Sequence, residues 1–127
     1  MAFAQASTAS QEEGKRVVGE MIDYCVSVIG ADYLEQKCSK LDKKLDGQLA
    51  ESASICKKKM ETVIGIPVKM IQDIDAAAKA TVESHACNDE AKTIAIGGFN
   101  RGERLKEAFV AFEKQLKPGQ TMLIQNN

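Results

Sequence analysis

Residues 34–63 read LEQKCSKLDKKLDGQLAESASICKKKMETV, and their spacing decides how the whole chain is read. Leu34, Cys38, Leu41, Leu45, Leu49, Ser52, Cys56, Met60 and Val63 recur at steps of 4, 3, 4, 4, 3, 4, 4 and 3. That is an eleven-residue repeat, about 3.67 residues per turn, which keeps one face of an α-helix toward a partner with little supercoil. The spacing predicts one helix from Ala31 or Asp32 to Ile64, roughly 50 Å long at 1.5 Å per residue. Gly47 and the polar Ser52 and Ser54 are the places where it would bend. Lys37, Lys40, Lys43, Lys44, Lys57 and Lys58 alternate with Asp42, Asp46, Glu51 and Glu61 on the other side, as on a solvated face with weak ion pairs. A seam of that length needs other helices, or a second copy of itself, to cover it. The expected fold is all-α: a small helical bundle with one long helix able to pair across a dimer.

The flanking segments supply the covering helices. Toward the N-terminus, residues 1–10 are small and polar and read as a flexible leader, with residues 11–127 forming a single helical domain. Helix one is expected after Thr8 or Ser10, whose hydroxyls cap well, with Glu12 and Glu13 favoured in its first turn by the helix dipole. Val17, Val18, Met21, Ile22, Cys25, Val26, Val28 and Ile29 cover about half its circumference, and Gly30 is suited to end it. On the far side, Gly65 can close the long helix and Pro67 suits the first turn of a third, expected over 67–86. Asn88 and Asp89 look like the cap of a short segment. The run Gly97-Gly98-Phe99-Asn100-Arg101-Gly102 reads as a flexible connector to a last helix carrying Leu105, Ala108, Phe109, Phe112 and Leu116, stopped by Pro118-Gly119.

Composition bounds the chemistry. The chain has 127 residues, a formal net charge of -1, four Phe, two Tyr and no Trp, so its core is aliphatic and its surface carries no excess charge for a polyanion. No run reaches the roughly eighteen apolar residues of a membrane span. Ala2-Phe3-Ala4 has the small-x-small form that precedes a signal-peptidase cut, although no charged or apolar region stands before it. Cys25, Cys38, Cys56 and Cys87 are an even, widely spaced set that suits two disulfides. A turn at Gly30 would bring Cys25 level with Cys38, leaving Cys56 to pair with Cys87. Together these features favour a periplasmic or secreted location; a cytoplasmic one with buried free thiols stays open.

The chemical candidates lack productive spacing. His85, the only histidine, is followed by Cys87 and preceded by Glu83, but on a helix neither neighbour shares its face, so no metal site assembles. The expected place of His85 is a partly buried packing position beside Ile74, Ala78 and Thr81. Asp73 and Asp75 diverge for the same reason. The glycine-rich run has neither the phosphate-loop pattern nor a preceding strand, and Lys57-Lys58-Lys59 stands among acidic residues without aromatics.

These exclusions point away from an enzyme, from nucleic acid and from a resident cofactor or metal. What remains is a small helical protein-binding module, an inhibitor, immunity protein, adaptor or assembly subunit, whose partner is another protein or a second copy. Its interface is expected along the seam at Leu49, Ser52 and Met60. The alternative is a carrier holding a small apolar ligand inside the bundle, lined by Met21, Met60 and Met70.

Overall fold

The computed structural model describes residues 2–39, 41, 42, 45 and 47–123, with side chains from residue 13 onward. It is an all-α bundle of four helices: α1 (Ala2–Lys37), α2 (Gln48–Lys59) continued by one π-helical turn (Met60–Ile64), α3 (Val68–Glu83) and α4 (Asp89–Gln115). No strand occurs among the described residues. The expected outward residues Lys40, Lys43, Lys44 and Asp46, and the side chains of Thr8, Ser10 and Glu12, lie outside the described set.

The long helix is α1, not the seam. At 36 residues it spans roughly 54 Å, begins at Ala2 rather than after Ser10, and passes through Gly30 without a break. Gly30 is buried mid-helix, where an added Cβ would meet Val82 at 3.7 Å. The seam is cut instead between Cys38 and Gly47, so a continuous helix over residues 31–64 does not form. The reason is burial: an unbroken helix would carry residues 49–63 roughly 18 to 39 Å past Lys37, leaving its apolar face uncovered. Lys37 donates to the carbonyls of Glu83 and His85 at 2.6 and 2.5 Å, Cys38 is bridged to Cys87, and Gly47 takes φ 76° to start α2. The chain turns back there, and α2 lies antiparallel on α1.

The periodicity still identified what faces inward. Leu34, Cys38, Leu45, Leu49, Ser52, Cys56, Met60 and Val63 are all buried, and Leu41 is half-buried. They meet Met21, Cys25, Val28 and Ile29 of α1, Ile71 and Ala78 of α3, and Leu105 and Phe109 of α4 in three adjoining clusters. The seam on which a dimer was expected is therefore covered within one chain.

The break at residues 65–67 falls where the sequence placed it. The amides of Gly65 and Ile66 both donate to the Met60 carbonyl at 2.9 Å, which widens the last turn, and Gly65 takes φ 97°. This leaves the Val63 and Ile64 carbonyls to accept from the amides of Met122 and Leu123 at 2.8 and 3.0 Å, strapping the C-terminal segment across the turn. α3 then starts after Pro67 and ends at Glu83, short of the expected Ala86.

α4 corrects the expected connector. Asn88 caps it by accepting from the Ala91 amide at 3.0 Å, and the helix continues through residues 97–102 to Gln115. Gly98 and Gly102 are buried there as contact points. A Cβ on Gly98 would collide with the Ala31 side chain and lie 3.2 Å from the Ser27 carbonyl; one on Gly102 would lie 3.0 Å from Ser52. The glycines let α4 cross α1 and α2 at close range, which outweighs their poor helix propensity of about 1 kcal/mol each.

Candidate ligand-binding groove

α1 is the floor on which α3 and α4 both rest. Tyr33 bonds to Asp75 and Lys37 to Glu83, so α3 runs parallel to α1. Gly98 sits over Ser27 and Ala31 while Gly102 sits over Val28, so α4 runs antiparallel to it. Between the two walls a groove of about 520 Å³ opens to the surface. Its floor is Val26, Ser27, Gly30 and Ala31; one wall is Ala77, Ala78, Thr81 and Val82, and the other is Thr93, Ile94, Gly97 and Arg101. The span from Thr93 to Arg101 along α4 makes it about 12 Å long.

The groove exists because its lining side chains are short. Alanines and glycines hold the floor back, so α3 and α4 do not close over α1. The surface is apolar apart from Ser27, two threonine hydroxyls and Arg101, the one charged residue in the lining. The guanidinium lies 5.8 Å from the centre of the Tyr24 ring at the end of the groove, a contact that holds the cation near the rim.

A polar cluster fixes the α3 wall. The Tyr33 hydroxyl donates to Asp75 Oδ2 at 2.6 Å, and Lys57 Nζ reaches Asp75 Oδ1 at 2.7 Å. The ammonium groups of Lys57 and Lys79 each lie 5.8 Å from the centre of the Tyr33 ring. The hydrogen bond to Asp75, with burial and the nearby carboxylates, pushes the Tyr33 hydroxyl up to about 12. Burial alone would raise the Asp75 carboxyl, but hydrogen bonds from Lys57 and Tyr33 and the charges of Lys57 and Lys79 outweigh it and hold it below its ordinary value. The cluster ties α1, α2 and α3 together.

The residues singled out from the sequence fall elsewhere. Leu49, Ser52 and Met60 are buried in the chain's own core, so they offer no surface to a partner. Met21 and Met60 are also core residues, and Met70 is exposed at the start of α3; none of the three lines the groove. His85 lies beyond the end of α3, its Nδ1 2.9 Å from the Ala86 carbonyl oxygen and its Nε2 3.9 Å from Glu90, away from the expected place beside Ile74. The expected pairings Cys25–Cys38 and Cys56–Cys87 are not the ones formed. Cys38 is joined to Cys87 with 5.4 Å between their Cα atoms, locking the end of α1 to the turn before α4, while Cys25 and Cys56 are buried thiols. The sequence signal for the groove lies in its small residues: Gly97, expected in a flexible connector, instead lines the α4 wall, opposite Ala77 and Ala78.

No described helix is long and apolar enough to cross a membrane. Compared with protein families, with curated proteins and with solved structures, the chain matches none.

Proposed function

We propose that this chain binds a small apolar molecule carrying an anionic group, with the groove between α3 and α4 as its site. The observation that carries this reading is the groove itself: a largely apolar trench of about 520 Å³ with one cation, Arg101, among its lining residues. That volume lies within the range of small-ligand sites, roughly 300 to 1,000 Å³. An apolar body would lie over Gly30 and Ala31, and a carboxylate would pair with Arg101, whose planar fork matches two acceptor oxygens.

Decanoate is a suitable probe. If the open groove covers half of each apolar carbon, each gains about 0.4 kcal/mol, so the nine apolar carbons gain roughly 3.6 kcal/mol and the chain binds in the low millimolar range. Titration calorimetry should rank decanoate above decan-1-ol and both above decylamine. Ala77→Phe, which fills the groove from an exposed position, should weaken all three. Arg101→Gln should remove most of the preference for decanoate, up to about fivefold for an exposed pair. Decanoate binding unchanged by Ala77→Phe would refute the assignment.

A second reading keeps the protein-binding role expected from the sequence. The groove is open along one side, and Val26 on its floor remains 36% exposed. One or two apolar side chains of a protein partner would fit there as anchors. Pull-down from the native compartment with the wild-type chain and Ala77→Phe tests it, a partner lost in the variant supporting this reading. The Cys38–Cys87 bridge supports placing the chain in an oxidising, periplasmic or extracellular compartment, since exposed Cys87 is open to reductants elsewhere.

A further inference from the structure

Cys25 and Cys56 stand apart from the groove and from the existing bridge. Both are buried, at 0% and 1% exposure, in the same core cluster. They come from α1 and α2, and the nearby Cys56 thiol together with burial pushes the Cys25 thiol up. The surrounding register supports the pairing. Val28, three residues along α1, and Ser52, four residues back on α2, both pack around Gly102, as antiparallel helices facing one another require. Two further thiols therefore meet side by side in a chain that already carries one disulfide.

We infer that Cys25 and Cys56 form a second disulfide, joining α1 to α2 through the centre of the core. The oxidant is a low-molecular-weight disulfide such as oxidised glutathione. One cysteine thiolate attacks a sulfur of the oxidant and expels a thiolate. The other then attacks the mixed disulfide at the protein sulfur and expels the second. Two electrons pass from the cysteine sulfurs to the oxidant, and the two protons end on the released thiols. The reaction belongs to the unfolded or locally opened chain. Once the core has closed, the neighbouring Cys56 and burial push the Cys25 thiol up, which disfavours the reactive thiolate.

The two links differ in access, and that sets the order in which they open. Cys87 is exposed, whereas Cys25 and Cys56 are covered on all sides. The test uses the unmodified chain, reduced and unfolded, then refolded with a reduced and oxidised glutathione couple. Thiol counting in denaturant should fall from four to none, and non-reducing peptide mapping should recover Cys38 with Cys87 and Cys25 with Cys56. Brief native treatment with a phosphine reductant followed by alkylation should label Cys38 and Cys87 alone, with Cys25 and Cys56 labelled only after denaturation. Two residual thiols at Cys25 and Cys56 in the folded, fully oxidised chain would overturn the inference. So would a link from either residue to Cys38 or Cys87, or labelling of Cys25 and Cys56 before the outer pair.

Discussion

Adjacent glycines on α4 should respond oppositely to the same added methyl group. At Gly97 an alanine Cβ meets nothing nearer than Arg101 Nη1 at 3.7 Å, an ordinary contact with the end of a flexible side chain. Gly97→Ala therefore collects the helix-propensity gain and should stabilise the fold by about 0.5 to 1 kcal/mol. At Gly98 the Cβ would run into Ala31, which has no rotamer to move to, and would sit 3.2 Å from the Ser27 carbonyl oxygen. Overpacking of this kind costs about 1 to 3 kcal/mol. Set against the same propensity gain, Gly98→Ala should lie between neutral and about 2.5 kcal/mol destabilised, leaving about 1 to 3 kcal/mol between the variants. Urea melts read by helical circular dichroism measure this directly, provided the m-value is unchanged. In the Gly98→Ala background, Ala31→Gly removes the colliding methyl and should show favourable coupling of about 1 kcal/mol or more. If Gly98→Ala were as stable as Gly97→Ala, residues 97–102 would be a connector and not the crossing point of α1 and α4.

Phe109→Ala should destabilise by about 3 to 5 kcal/mol and Leu45→Ala by about 2 to 5, since both side chains are at most 2% exposed and each would leave a cavity; urea midpoints check both. Gly65→Ala should lower the melting temperature by several degrees, because the residue takes φ 97° and a Cβ there would collide with Thr121. In pH-dependent urea melts, the contribution of Tyr33 should be intact below pH 10.0 and decline as pH rises toward about 12, because the unfolded chain releases that proton first; Tyr33→Phe should flatten this limb. Asp75 acts in the opposite direction: its contribution holds above 3.8 and is lost as pH falls through its lower folded value, and Asp75→Asn should remove that acid loss.

The seam shows how one pattern can serve two structures. The eleven-residue spacing of residues 34–63 marked the buried positions correctly because burial depends on which side of a helical turn a residue occupies, a local property. It did not reveal that the helix is cut near Cys38, because continuity depends on whether a distant surface lies ready to cover the seam. The Gly65-Ile66-Pro67 stop was legible for the converse reason: a glycine at positive φ and a proline lacking an amide hydrogen act on the backbone at their own positions.

The sequence by itself determined the helical class, the inward residues of the seam, the Asn88 cap and the break before α3. Each rests on interactions within a few residues along the chain. Tertiary structure alone decided which cysteines meet, why Gly98 and Gly102 stand inside a helix, and where an apolar surface remains open. Cys38 reaches Cys87 across 49 positions, and Gly98 is defined by Ala31 and Ser27 on another helix. The groove beside Arg101 follows from the same fact: its floor and walls come from three helices, and its shape arises only where their short side chains leave a gap.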